Sequence, residues 1–214
     1  MEQGDAQRQH KFKHIFLDAE GTLYVPKGGR SRWVFWADPT PEAALEFFEL
    51  DDGVYEALKQ IRSEADTLCL VSRNSEDILS ALLNKFGIAD LFDKIMLNGD
   101  KGKQIERYLH QNGLKKEESL MVGDMPSLDL YPVKRAGIEA VLVDRHYNSW
   151  AKAERIKGLK DLPSWLKIAD IVEEMERNRS RIATLDEFTG QVASHGFVRA
   201  DRLATKRLIA VPGA

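Results

Sequence analysis

The stretch His14-Ile15-Phe16-Leu17-Asp18-Ala19-Glu20-Gly21-Thr22 decides the fold, because an apolar run ends directly in two carboxylates, a glycine and a hydroxyl. In open α/β sheets, ligands bind and react at the carboxyl ends of the strands. Asp18 and Glu20 stand two residues apart, so their side chains lie on the same side of an extended chain. One can attack or hold a cation while the other moves a proton. Taken alone, residues 18–22 are equally consistent with an ordinary strand-to-turn transition.

Composition indicates a globular protein and limits its partners. The 214 residues suit one domain with embellishments, and 43% of them are hydrophobic. A net charge of −3, from 31 basic and 34 acidic residues, argues against nucleic-acid binding. No run approaches the about 18 apolar residues of a membrane span, and the N-terminal residues lack a signal core. We therefore predict a cytoplasmic protein that makes no membrane contact.

Cysteine and histidine usage narrows the kinds of site. Cys69 is the single cysteine, so no intramolecular disulfide can form. Its apolar neighbours predict a buried structural thiol, which suits a reducing compartment. The five histidines show no metal-ligand spacing. Any metal is therefore expected to have oxygen ligands.

Strand-like and helix-like segments alternate along most of the chain. Such alternation predicts an α/β fold with a Rossmann-like, mostly parallel sheet flanked by helices. Asp51 or Asp52 is expected to cap the first long helix, and Gly87 to end the second. The predicted strands are residues 12–17, 67–71, 92–97, 119–122 and 138–143, and the predicted helices are residues 51–65, 74–86, 103–111 and 126–136.

Two regions depart from this alternation. Apolar arms on either side of Pro26-Lys27-Gly28-Gly29 predict a small β-hairpin flap over residues 24–36, and residues 39–50 could add a short helix. This flap would form a minimal cap over about residues 24–50. The predicted domains are a flexible N-terminus (1–11), a main domain (12–176) and a C-terminal helical appendage (177–214), for which a helical hairpin or a homodimer arm is expected.

Polar residues follow two further predicted strands. Ser72 comes directly after a strand, where its hydroxyl can donate to an anionic oxygen, although capping of the next helix by Ser72 or Asn74 is the commoner role for such residues taken alone. Lys101 and Lys103 lie in the loop Asn98-Gly99-Asp100-Lys101-Gly102-Lys103, which by itself is typical of a solvated charged loop.

The segment Gly123-Asp124-Met125-Pro126-Ser127-Leu128-Asp129 repeats the placement of Asp18 after an apolar strand. Two acids just beyond a strand end favour an oxygen-ligand site for Mg²⁺. Without a cation, converging Asp18, Asp124 and Asp129 would repel one another. The chain supplies a lysine as one such cation.

These four elements, in this order, resemble the haloacid dehalogenase-like superfamily of hydrolases. Its pattern is an apolar strand followed by Asp-x-Asp-Gly-Thr, then a Ser or Thr, a Lys, and Gly-Asp with a further acid. The resemblance covers about residues 12–145. It implies a Mg²⁺-dependent phosphatase that hydrolyses a phosphomonoester through an aspartyl-phosphate intermediate.

The resemblance also implies a role for each matching residue. Asp18 would be the nucleophile and Glu20 the general acid and base. Lys101 would neutralise charge on the nucleophile and the phosphate; it is preferred to Lys103 because Lys-Gly opening a helix resembles the phosphoserine-phosphatase branch, but Lys103 stays an alternative. The implied phosphate-binding residues are Thr22, Ser72, Arg73 and Asn74, and the implied metal-binding residues are Asp18, Glu20 (through its backbone carbonyl), Asp124 and Asp129.

Glu20 departs from the pattern, since most phosphatases of this superfamily have Asp there. The extra methylene moves the carboxyl group outward by roughly 1.5 Å. Two alternatives to the phosphatase therefore stay open. One is a catalytically impaired binding or scaffold protein, and the other is a hydrolase that attacks carbon, as dehalogenases do.

The short flap predicts an open site. Such a site suits a small phosphorylated molecule or an exposed phosphoester on a larger one. Arg30 and Arg32, together with Trp33, Phe35 and Trp36, could line its entrance. Equally, the aromatic side chains could simply pin the flap to the core.

Overall fold

The computed structural model describes residues 10–194, with side chains described through residue 182. The chain divides between Asp170 and Ile171 into two compact units. The predicted N-terminal segment lies almost wholly outside the described residues, as do residues 195–214 of the predicted appendage. Within the described part, no helix combines the length and apolarity needed to cross a membrane.

Strands and helices alternate through the first unit, as predicted. The strands are β1 (His14–Leu17), β2 (Tyr24–Pro26), β3 (Phe48–Leu50), β4 (Thr67–Ser72), β5 (Lys94–Leu97), β6 (Ser119–Gly123), β7 (Glu139–Val143) and β8 (Arg155–Ile156). The α-helices are α1 (Arg32–Phe35), α2 (Pro41–Phe47), α3 (Val54–Glu64), α4 (Glu76–Phe86), α5 (Lys101–Asn112), α6 (Tyr131–Arg135) and α7 (Leu162–Ser194).

The main sheet has six strands in the order β5-β4-β1-β6-β7-β8, and every neighbouring pair is parallel. The α/β fold with a mostly parallel sheet is therefore confirmed. We predicted that the strand at residues 138–143 is the last one. This prediction is wrong, because β8 adds an edge strand. β8 has only two residues and no apolar run, so it carries no period-2 signal.

Strand register brings the polar residues to one edge of the sheet. Leu17 of β1 lies opposite Leu70 of β4 on one side and Val122 of β6 on the other. The residues that follow these strands, including Asp18, Ser72 and Asp124, therefore emerge at the same carboxyl edge. This is the edge where parallel sheets bind ligands.

Alternation along β1 divides the core into two layers. Ile15 and Leu17 pack with side chains of α3 and α4, whereas Phe16 packs with side chains of α5 and α6. All three are fully buried. Helices thus cover both faces of the sheet, which explains why its central strands are continuously apolar.

The small antiparallel flap is confirmed, but its second strand lies later in the chain than predicted. Its antiparallel pair consists of β2 and β3, with Tyr24 opposite Leu50. The predicted second arm, before Trp36, is instead the short helix α1. Thr40 caps α2 by accepting from the N–H of Ala43 at 3.1 Å, and a proline follows at its first turn. These helix signals delay the returning strand to residues 48–50.

The start of α3 also differs from its prediction. Its N-cap is Gly53, which adopts a left-handed conformation and provides no side-chain cap. The carboxylate of Asp51 instead binds the guanidinium of Arg145 at 2.5 Å, and that of Asp52 binds the ammonium of Lys160 at 2.5 Å. Both expected capping residues therefore serve in longer-range ion pairs.

Helices α5 and α6 contact each other through their backbones. A π-helical turn, residues Pro126–Leu130, leads directly into α6. Gly102, in the first turn of α5, faces the backbone carbonyl of Pro132 so closely that a Cβ atom would overlap it. The glycine therefore permits backbone-to-backbone contact between the two helices.

The second unit, within the described residues, is the part of α7 beyond Asp170. This helix continues through Arg177, where the sequence placed the start of the appendage. It exposes the apolar side chains of Ile171, Val172, Met175 and Ile182. The homodimer expectation stays a prediction.

Candidate active site

Asp18 occupies the centre of the carboxyl edge. Its backbone N–H donates to the carbonyl of Val122 at 2.9 Å, which extends the β1–β6 pairing by one residue. The residue is only 8% exposed. Burial raises the pKa of this carboxyl well above its ordinary value, and the neighbouring Lys101 opposes that shift. A buried carboxylate next to an ammonium group has a neutralising partner but little competition from water.

Lys101 joins two of the acids. It is the first residue of α5, and its Nζ donates to Oδ1 of Asp18 and, at 2.6 Å, to Oδ1 of Asp129. Burial lowers the pKa of Lys101, but Asp18 and Asp129 outweigh it and raise the pKa above its ordinary value. Lys103 is exposed. The structure therefore brings Lys101, rather than Lys103, to Asp18.

The first turn of α5 sets the position of Lys101. Oδ1 of Asp100 accepts the backbone N–H of Lys103 at 2.9 Å and thereby caps the helix. The exposed loop residue thus fixes where the helix begins. Lys101 becomes the first helical residue and points its side chain into the site.

Asp124 and Asp129 approach the same site through two glycines. A Cβ atom at Gly123 would overlap the carboxyl group of Asp129, and one at Gly21 would overlap that of Asp124. Gly21 also has a φ of +80°, a conformation that side chains disfavour. Both glycines of the sequence motifs are therefore required by the close approach of an acid.

Three carboxylates form a candidate metal centre. Asp18, Asp124 and Asp129 each offer one oxygen, and these oxygens lie within 4.8 Å of one another. Oδ1 of Asp124 is buried and has no hydrogen-bond partner among the described residues. Hard oxygen donors with one unpartnered atom fit Mg²⁺. The carboxylate of Glu20, which was predicted to contribute only its backbone carbonyl, is not part of this cluster.

The other oxygen of Asp124 is held from two sides. Nη2 of Arg32 donates to Oδ2 of Asp124 at 2.5 Å, and the hydroxyl of Tyr147 donates to the same oxygen. The guanidinium also lies over the Tyr147 ring, 4.4 Å from its centre. Burial, followed by the charge of Asp124, raises the pKa of Tyr147 above its ordinary value, so the phenol stays a donor.

Glu20 lies beneath the flap. Nε1 of Trp36 donates to its carboxylate at 3.0 Å, and Nε of Arg32 lies 3.6 Å from Oε1. Burial raises the pKa of Glu20 to about 7, although Arg32 lowers it. A carboxyl group with such a pKa can both give and take a proton near neutrality.

The predicted phosphate-binding residues lie around the same edge. Oγ of Ser72 accepts the backbone N–H of Asn74 at 3.1 Å, and Nδ2 of Asn74 donates to the hydroxyl of Tyr24 at 2.6 Å. Thr22 is fully buried, and its hydroxyl has no partner among the described residues. Arg73 is exposed and lines, together with Lys101, a cavity of about 270 Å³.

Sequence reasoning missed the residues that follow β7. Nε of Arg145 donates to the carbonyl of Gly21 at 2.8 Å, and Nδ2 of Asn148 donates to the carbonyl of Asp124 at 2.8 Å. Together with Tyr147 they hold the loops that carry Gly21 and Asp124 in place. The signal was present, because these residues also follow a parallel strand at its carboxyl end. The flap aromatics were expected either to line the site entrance or to pin the flap to the core. Trp36 lies at the site, where it donates to Glu20, whereas Phe35 packs into the core.

The model of the family described as haloacid dehalogenase-like hydrolase matches residues 34–143. The chain belongs to this family. The matched segment contains Ser72, Lys101 and Asp124 and begins after Asp18 and Glu20. The predicted superfamily membership is therefore confirmed, and the chain is a hydrolase of the haloacid dehalogenase-like family.

A haloacid dehalogenase-like relative of known sequence is the pyrophosphatase PpaX of Halalkalibacterium halodurans. The chain is 31% identical to it over 98 residues, which cover 43% of this chain and 45% of the relative. The chain thus spans under half the length of that curated relative.

Solved structures share the fold of this haloacid dehalogenase-like chain. A phosphatase from Thermococcus onnurineus is 18% identical with a TM-score of 0.58, covering 72% of this chain and 98% of that one. An uncharacterized protein from Listeria monocytogenes serotype 4b is 19% identical with a TM-score of 0.59, covering 73% and 98%. An L-2-haloacid dehalogenase from Xanthobacter autotrophicus is 14% identical with a TM-score of 0.55, also covering 73% and 98%. At such identities the likeness concerns the fold alone.

Proposed function

We propose that this protein is a Mg²⁺-dependent phosphatase that hydrolyses a phosphomonoester through an aspartyl-phosphate on Asp18. The observation that carries the proposal is the contact of Lys101 with both Asp18 and Asp129, beside a third buried acid, Asp124. Attack by a carboxylate on a phosphate dianion brings like charges together. A buried lysine and a cation site at the nucleophile answer that need directly.

The acids and the lysine divide the work of the first step. An oxygen of Asp18 attacks phosphorus, and the bond from phosphorus to the leaving oxygen breaks. Glu20 donates its proton to that oxygen, so the alcohol departs neutral. Lys101 stabilises the negative charge on the transferring group. Bound by Asp18, Asp124 and Asp129, Mg²⁺ would supply further charge neutralisation.

The second step reverses the role of Glu20. Its carboxylate, now deprotonated, takes a proton from water while the water oxygen attacks phosphorus. The bond between phosphorus and the Asp18 oxygen breaks, which releases inorganic phosphate and restores both carboxyl groups. A pKa of about 7 for Glu20 supports this double role, since proton transfer in each direction is then nearly balanced.

The charge of the site favours phosphorus over carbon as the point of attack. Displacement at carbon needs a nucleophile but no counter-charge for a transferring dianion. Here the nucleophile adjoins a lysine and two further acids suited to a divalent cation. The pyrophosphatase relative adds inorganic pyrophosphate to the substrates worth testing, besides small phosphomonoesters and exposed phosphoesters on larger molecules.

The test is hydrolysis of p-nitrophenyl phosphate with Mg²⁺, with and without EDTA. We expect EDTA to abolish activity and Asp18→Asn to lower kcat by about 10³-fold or more, since the nucleophile is lost. Asp90→Asn changes an exposed aspartate between α4 and β5 in the same way and serves as the control. Activity that survives Asp18→Asn would overturn the mechanism.

A further inference from the structure

A cavity of about 270 Å³ is lined in part by Lys101, the lysine that contacts Asp18, and has no role in the mechanism above. It is lined by residues from three places in the chain: the end of β4, the start of α5, and the π-turn with α6. Lys101 belongs both to this lining and to the contact with Asp18. The cavity therefore lies next to the lysine of the candidate active site.

Two arginines give the cavity its charge. Arg73 lines it from the residue after Ser72, and Arg135 lines it from the last turn of α6. Both are exposed, and neither forms an ion pair among the described side chains. Four other arginines of the first unit do pair with carboxylates: Arg32, Arg62, Arg145 and Arg155.

One carboxylate shares the lining, and its position reduces its effect. Oδ1 of Asp100 accepts the N–H of Lys103 at the N-terminus of α5, where negative charge is favourable. Ser127 adds a hydroxyl that can donate. The lining thus contains two arginines and a single acid, Asp100, whose carboxylate already accepts a hydrogen bond as the cap of α5. Such a lining favours an anion.

We propose that this cavity is a subsite for a second anionic group of the substrate, held by Arg73 and Arg135. The inference rests on the proposed phosphatase function and narrows it to phosphomonoesters that carry a carboxylate or a further phosphate. Guanidinium groups suit both anions, because their planar fork donates two parallel hydrogen bonds. The cavity volume accommodates a small organic anion.

Lys101 and the two arginines serve different anions because they have different partners in the protein. Lys101 is already engaged by Asp18 and Asp129, so its charge serves the reacting phosphate. The arginines are free to bind the remote group. Binding of the remote group would then orient the phosphoryl group toward Asp18, which is how contacts distant from the reaction increase kcat/KM.

The experiment compares four substrates that share one leaving-group type: phenyl phosphate, 3- and 4-carboxyphenyl phosphate, and 1,4-phenylene bisphosphate. We expect at least one substrate with a second anionic group to exceed phenyl phosphate in kcat/KM by about tenfold or more, the value of one or two charge-assisted hydrogen bonds. The carboxylate and bisphosphate arms distinguish which anion the cavity takes.

Neighbouring residues provide a matched pair of variants. The selectivity ratio is kcat/KM for the substrate with a second anionic group divided by kcat/KM for phenyl phosphate. Arg135→Ala should reduce this ratio by about tenfold. Lys134→Ala removes an adjacent charge that does not line the cavity and pairs with Glu139 at 3.0 Å; it should leave the ratio within about twofold. Arg73→Ala, a second probe, should lower the ratio in the same direction as Arg135→Ala.

The outcomes separate the two levels of the proposal. Hydrolysis of all four substrates with a ratio near one, or a ratio insensitive to Arg135→Ala, would overturn the subsite and leave the phosphatase standing. Hydrolysis of none would overturn the proposed function and the subsite with it. Equal loss in Arg135→Ala and Lys134→Ala would indicate general attraction of anions and would also overturn the subsite.

Discussion

Nη2 of Arg32 lies 2.5 Å from Oδ2 of Asp124, so a residue of the flap holds an acid of the candidate metal centre. The same guanidinium reaches Glu20 through its Nε at 3.6 Å. The flap and the sheet edge are therefore joined by charge at the reacting site as well as by aromatic packing. Oδ1 of Asp124 has no hydrogen-bond partner within the described part of the chain.

This arrangement predicts that Arg32 and Tyr147 position Asp124 for Mg²⁺. We expect Arg32→Ala and Tyr147→Phe each to weaken Mg²⁺ binding by about 10–100-fold, as loss of partners to metal ligands does. Isothermal titration of the free protein with Mg²⁺ measures it. Arg30→Ala, a flap arginine that stacks on Phe47, is the control. Tighter binding in Arg32→Ala would mean that the guanidinium and the cation compete for Asp124.

Lys101→Met should destabilise the protein strongly. It leaves Asp18 and Asp129 buried without their cation, which costs about 3–5 kcal/mol of unfolding free energy. Adding Asp129→Asn should recover part of the loss, because one buried charge is then removed. Urea denaturation measures both. Lys103→Met, on an exposed side chain, should stay within about 0.5 kcal/mol of wild type, and an equal loss there would contradict the assignment.

We expect the glutamate at position 20 to support catalysis better than an aspartate would. Glu20→Gln should lower kcat for p-nitrophenyl phosphate by about 10²–10⁴-fold, since it can no longer transfer a proton. Glu20→Asp should also lower kcat, because retraction by roughly 1.5 Å removes the carboxylate from Trp36. Glu42→Asp, on the exposed face of α2, controls for shortening an acid. If Glu20→Asp instead creates activity that the wild type lacks, the scaffold alternative is favoured.

The buried thiol of Cys69 predicts a loss of stability at alkaline pH. Burial raises its pKa to about 11, above the about 8.5 of an unfolded cysteine. The unfolded state therefore loses its proton first, so the contribution is intact below about pH 8.5 and fades as pH rises toward 11. The stability difference between wild type and Cys69→Ser should shrink by about 1–2 kcal/mol from pH 7 to pH 10. A constant difference in urea denaturation would refute this.

The sequence predicted correctly those elements that have a clear apolar pattern and those polar residues that directly follow a strand. The run ending at Leu17 gave a buried strand, and the rule that parallel strands present ligands at their carboxyl ends located Asp18, Ser72 and Asp124. Lys101 came from the family resemblance rather than from this rule, since its loop alone is typical of a solvated surface, and the structure brings it to Asp18. Helix spacing likewise predicted α3, α4 and α5, whose apolar faces pack on the sheet.

The failures concern interactions between segments distant in sequence. Asp51 reads locally as a helix cap, but Arg145, 94 positions later, takes its carboxylate. The strand partner of Tyr24 is Leu50 rather than a residue just beyond the glycines, because two helix starts intervene. The position of Tyr147 after β7 places it at the sheet edge, but only the fold shows that Asp124 is its partner. Such pairings arise only in three dimensions.

The contact at Gly102 has a consequence for how this protein can change. Where α5 meets α6, the two backbones touch without intervening side chains, and the first residue of α5 is Lys101. Any side chain at position 102 would push the two backbones apart and shift the start of α5. The reach of Lys101 to both acids therefore depends on a glycine that carries no functional group of its own.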